Sequence, residues 1–126
     1  MVKLYVYPEQ YAIVSLQAAC EANLLSLPCD SFFALIRDKN ELTIVMLEAN
    51  VPETSAYVQG GYRVVMLDSE FKFDVVGVMA KCATALAEAG IPILTYSSYT
   101  TDIFIVQEKS LGKVCDILQH LELTNG

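Results

Sequence analysis

The sequence predicts an α+β fold of two similar units, each an antiparallel sheet with helices on one face, and three observations lead there. Short apolar runs of strand character are interspersed with amphipathic runs of helical spacing. The order of these elements in the first half nearly recurs in the second. Finally, 54% hydrophobic residues supply a core, while 18% charged residues are too few for a disordered chain. At 126 residues the chain suits one compact domain or two half-size ones sharing a core, with halves expected at 1–55 and 56–126.

Lys3 to Tyr7 and Tyr11 to Leu16 are apolar and aromatic runs broken by Pro8, Glu9 and Gln10, and they read as two strands or one bent strand. Ser15 to Leu25 carries Ala18, Ala19, Glu21, Ala22 and Leu24, enough good helix formers for a short helix that Leu27-Pro28 ends. Ser31 to Arg37 and Glu41 to Leu47 flank Asp38, Lys39 and Asn40, the pattern of a hairpin with a short polar turn. Ala49 to Gly61, with Pro52 and the Gly60-Gly61 pair, reads as a connector between the halves.

Tyr62 to Leu67 is the next strand. A helix follows from about Val75 to Ala89, with Asp74 as its expected N-cap, Gly90 as its stop and Pro92 forbidding continuation. Val75, Met79, Cys82 and Leu86 recur on one face of it, widened by Val76 and Ala83, so that face covers a sheet. Ile91 to Thr95 and Ile103 to Val106 are short and rich in β-branched and aromatic residues, as strands are, with the polar Tyr96 to Asp102 between them. Ser110 to Leu121 is an amphipathic helix with Leu111, Val114, Cys115, Leu118 and Leu121 on one side. The halves thus read βαββ and βαββα, an arrangement of two ferredoxin-like units.

A net charge of −7, with eight basic residues scattered from Lys3 to Lys113, disfavours a nucleic-acid partner and biases the surface toward cationic ligands. Cys20, Cys29, Cys82 and Cys115 match no zinc or CxxC spacing and read as buried free thiols. MVKLYVYPE is not a secretory signal, and no apolar run approaches the roughly 20 residues of a membrane helix, so the expected compartment is a reducing cytoplasm with no membrane association. GxGxxG, P-loop and GxSxG patterns are absent. His120 falls in the last turn of a helix, where a cation is favourable. Glu48, Glu53, Asp68 and Glu70 have no His or Cys placed beside them for acid–base or metal chemistry. No catalytic residue, metal or cofactor is expected, and the chain reads as a non-enzyme.

The run AEAGIPILTYSSYTTDIFIVQEKSL resembles the end of an ACT domain, of the variety found in small two-domain ACT proteins and in cytosolic arginine sensors of the CASTOR type. The resemblance extends backwards through the glycine-bearing helix and, more loosely, through FFALIRDKNELTIVML. It implies a regulatory protein that holds a free amino acid at a domain or subunit interface, commonly as a homodimer.

In the sensors, a Ser/Thr-aromatic-x-x-Asp segment lines the pocket together with a glycine and its two successors near the helix start. The matching residues here are Ser98, Tyr99 and Asp102, with Gly77, Val78 and Met79. Free amides at the positive end of a helix dipole suit a carboxylate, and an aromatic face with a carboxylate suits a cationic head group. The sensors carry Glu two residues before the glycine where this chain has Val75, which points away from arginine toward a neutral or differently sized amino acid. Each feature also has a plainer reading: Gly77 as a packing glycine and the hydroxyl-rich loop as ordinary turn chemistry. The corresponding alternative function is a ligand-free assembly module built on sheet pairing.

Overall fold

A computed structural model describes residues 2–16, 31–51, 57–68 and 77–122. The strands are β1 (Leu4–Val6), β2 (Tyr11–Leu16), β3 (Ala34–Arg37), β4 (Leu42–Leu47), β5 (Tyr57–Leu67), β6 (Ile93–Ser97) and β7 (Asp102–Gln107). The helices are α1 (Val78–Glu88) and α2 (Leu111–Gln119). The architecture is α+β with antiparallel strand pairing. The expected helix from Ser15 to Leu25 falls on residues outside those described except at Ser15 and Leu16, which end β2.

Contacts divide the chain into two compact units, Pro8–Tyr62 and Met1–Tyr7 with Arg63–Gly126. This differs from the 1–55 and 56–126 expectation in giving the first residues to the later unit and in cutting within β5.

In the Pro8–Tyr62 unit the strand order is β3-β4-β2 followed by the start of β5. The expected hairpin is present: β3 and β4 pair from Ala34↔Val45 to Arg37↔Leu42. Asp38 builds its turn, because Oδ1 accepts from the Asn40 and Glu41 amides at 2.7 and 2.9 Å. Alternate residues Ala12, Val14, Leu42, Ile44 and Met46 form the core of this unit.

The expected connector is corrected here. β5 begins at Tyr57 rather than Tyr62, so Gly60 and Gly61 lie within a strand. Opposite β2 the register runs Tyr11↔Tyr62 and then Ile13↔Gln59, so β5 carries one extra residue, a β-bulge. Gly61 adopts φ 78°, which a side chain disfavours, and its amide donates to Glu48 Oε1 at 2.9 Å. That carboxylate lies where a Cβ on Gly60 would stand. The glycine pair is required by a strand irregularity rather than by a loop.

In the other unit the strand order is β1-β5-β7-β6. This is the order of a ferredoxin-like sheet whose outer strand is supplied by the start of the chain. β1 pairs with β5 from Leu4↔Leu67 to Val6↔Val65. Flanking bonds extend the pairing, with the Asp68 amide on Lys3 O at 2.8 Å and the Tyr7 amide on Val64 O at 3.0 Å. Arg63 Nη2 also donates to Tyr7 O at 3.1 Å, while Nη1 reaches Glu108 at 3.3 Å.

Val65, Leu67, Phe104 and Val106 share one core with Val78, Cys82 and Leu86 of α1 and Val114 and Leu118 of α2, so both helices cover the same sheet face. The end of α1 follows the expected logic. Gly90 at φ 73° donates to Ala87 O and Ile91 to Leu86 O, at 2.9 and 3.0 Å, which closes a Schellman motif. Ile91 and Leu86 then meet in the core. No helix among the described residues is long and apolar enough to cross a membrane.

Candidate functional site

Gly77 stands at the N-cap of α1, one residue outside the helix, with φ 88°. The helix starts at Val78 rather than at about Val75, so Gly77 precedes it instead of lying within it. A Cβ built on Gly77 meets no described atom within 4 Å, so nothing among the described residues calls for a glycine there by close packing. The left-handed backbone is the reason. Asp74, Val75 and Val76 lie outside the described residues.

No side chain among those described caps this end of α1. Gly77 O takes the first helical bond from the Lys81 amide at 2.9 Å, and the amides of Val78 and Met79 belong to the orphan donors that every helix start presents. Val78 is buried and Met79 packs partly against the core, so these residues offer backbone rather than side chain.

The β6–β7 connection is a tight hairpin. Ser97 faces Asp102 across it, and the Ser98 amide donates to Thr101 O at 2.9 Å. The Ser98 hydroxyl is engaged within the turn, bonded to the Thr101 hydroxyl and accepting from the Thr101 amide at 3.2 Å. Tyr99 sits at the tip with 83% of its surface exposed. Asp102, at the start of β7, is half-buried.

The hydroxyl on Asp102 belongs to Ser97, whose Oγ donates to Oδ1 at 2.8 Å. Ser97 is not among the residues the sequence singles out. The available signal was register, since a four-residue turn from Ser98 to Thr101 makes the flanking positions direct partners.

Asp102 also acts on α1. The Cys82 thiol has its pKa raised to about 11, first by burial and then by the Asp102 charge, against a lowering contribution from a backbone hydrogen bond. The carboxylate is therefore within electrostatic reach of a residue five positions beyond Gly77, a rise of about 7–8 Å along the helix axis. Gly77, Val78 and Met79 lead α1 and Ser98, Tyr99 and Asp102 lie on the β6–β7 hairpin, and both elements belong to the same unit.

Other candidate chemistry is dispersed. An open depression of about 370 Å³ in the Pro8–Tyr62 unit is lined by Glu9, Gln10, Leu47, Glu48 and Ala49, and it includes none of the residues singled out by sequence. Among the described residues no three His, Cys, Asp or Glu side chains gather where they could hold a metal ion. His120 is exposed, with Nδ1 2.7 Å from Asp116 O. Cys82 and Cys115 are free thiols, and Cys20 and Cys29 lie outside the described residues.

Comparison with known proteins adds a family. The ACT domain model matches residues 57–120, just over half of the chain. No curated protein matches. Among solved structures, a protein from Agrobacterium tumefaciens is similar at 26% identity and a TM-score of 0.81, covering 94% of this chain and 87% of that one. The aspartokinase α and β subunits are similar at 16% identity and a TM-score of 0.68, covering 94% and 97%. The ligand-free regulatory subunit of aspartate kinase from Thermus thermophilus is similar at 11% identity and a TM-score of 0.61, covering 93% and 95%. The two aspartokinase likenesses are likenesses of fold.

Proposed function

We propose that this chain, which belongs to the ACT domain family, is a regulatory, non-catalytic protein that binds a free amino acid and reports it through its assembly. The site lies between the start of α1 and the β6–β7 hairpin. Amides at Gly77, Val78 and Met79 take the ligand carboxylate, and Asp102 takes its ammonium, with Tyr99 and Ser98 on the hairpin above. What supports this reading is that a glycine-led helix start, with no capping side chain among the described residues, and the hairpin acid Asp102 stand on two elements of one unit inside the stretch that matches the family. A carboxylate and an ammonium on one carbon fit such a pair of opposite fields. Val75, where the arginine sensors carry Glu, favours an amino acid other than arginine.

A homodimer is part of the proposal. Among the described strands β6 pairs with β7 alone, leaving an outer edge with Leu94 41% exposed, and such an edge is a template for a second chain. The same edge supports the second reading, a ligand-free assembly module.

Thermal shift across the proteinogenic amino acids separates the two, since a ligand of the native state stabilises by about 2.7 kcal/mol at a hundredfold excess over Kd. Asp102→Ala is expected to weaken the responding amino acid by about 1.5–3 kcal/mol, a charged hydrogen bond's worth, in calorimetry on a protein still folded by circular dichroism. Silence from every amino acid at millimolar concentration refutes the binding reading. A monomer mass in light scattering at micromolar concentration refutes the dimer.

A further inference from the structure

We infer that Arg63 is a latch on the chain's first strand: β1 leaves the sheet as one piece while the rest of its unit stays folded, and Arg63 sets how often it does. The inference is independent of the amino-acid site proposed above. β1 has three residues and, among the described strands, pairs with β5 alone. Its Leu4 and Val6 are only partly buried against the core. Pro8 has no amide with which to carry the ladder past Tyr7, and the chain leaves this unit there. At the other end the Val2 amide holds Gln119 O at 3.0 Å, while the exposed Lys3–Asp68 pair at 3.7 Å counts for little in water. A short outer strand with so little burial belongs to the least stable part of a fold.

Arg63 closes the Tyr7 end. Its side chain is 15% exposed, and a guanidinium so buried is costly unless its bonds repay it. Nε is buried and bonded to nothing among the described residues, so the compensation is incomplete. What the planar fork does achieve is to reach two acceptors at once, Tyr7 O at 3.1 Å and Glu108 Oε1 at 3.3 Å, 56 and 45 residues away in the chain. The end of β1 is thereby tied to the turn that leads into α2. An apolar side chain would fill the same space without the desolvation, and Glu108, 46% exposed, would be left to water. The charge therefore serves to place β1 more than to stabilise the unit.

The test is native-state hydrogen exchange, resolved by residue, on the full chain. The Tyr7 amide, on Val64 O, and the Asp68 amide, on Lys3 O, report the two ends of the β1 pairing, and the amides of β7 report the middle of the sheet. In the wild type, Tyr7 and Asp68 are expected to share one protection factor, lower than that of β7. Arg63→Met is expected to speed both by about tenfold or more, the effect of a lost charged hydrogen bond, while β7 stays within about threefold. Arg63→Lys keeps the charge without the fork and is expected to act in the same direction, which keeps the test open if the Met variant does not fold. Acceleration of Tyr7 alone would make the contact local, and equal acceleration of β7 would make Arg63 merely structural. Either result overturns the inference, as does unchanged exchange in both variants.

Discussion

The Cys82 thiol gives this fold a measurable weakness in alkali. Its side chain has no exposed surface, and burial, then the Asp102 charge, raise its pKa from 9.0 to about 11. Released by unfolding, a thiol titrates near about 8.5. Between that pH and about 11 the unfolded chain has shed a proton that the folded chain retains. The unfolded state then binds fewer protons, so stability falls as pH rises through this window and is fully present below it. A difference of about two pKa units, at about 1.4 kcal/mol each, makes the loss about 3 kcal/mol at the top of the window.

Urea midpoints for the wild type and Cys82→Ala, measured from neutral pH to pH of about 10.5, isolate this contribution because the other titrating groups are common to both. The variant is expected to be weaker at neutral pH, through the small void left by the sulfur, and to lose that disadvantage as pH rises. Asp102→Asn is expected to shorten the window only in part, since burial is the larger cause. Parallel profiles for wild type and Cys82→Ala would show that the thiol is not the source of the loss.

Two further outcomes test the glycines. Gly77→Ala is expected to cost about 1–2 kcal/mol from its left-handed backbone alone, and Gly77→Asn less, in the same urea assay; equal stability of Gly77→Ala and wild type would show that φ is not the constraint. Gly60→Ala must displace the Glu48 carboxylate from the Gly61 amide, so it and Glu48→Ala lose the same bond. Their double variant is expected to be about 1 kcal/mol or more better than the sum of the singles, and strict additivity would separate the two positions.

Those parts of the molecule whose causes are local were legible in the chain's own residues. Asp38 can build the β3–β4 turn because the amides it binds are two and three residues away. Gly90 can end α1 because both bonds of the stop return within five residues. Apolar spacing placed the faces of α1 and α2, whereas the candidate glycine before α1 and the candidate acid at the head of β7 come from the family resemblance.

Whatever depends on a partner distant in the chain was not legible there. Gly60 and Gly61 are loop residues by composition, and become a bulge through β2 and a carboxylate 13 residues away. The outer strand of the later unit comes from Leu4–Val6, and nothing local to either strand announces a pairing with Val65–Leu67. Ser97, rather than Ser98, holds Asp102, because register and not residue type chooses between neighbouring hydroxyls. A strand turns successive side chains to opposite faces, so a single step along the chain decides which of two identical residues meets the acid.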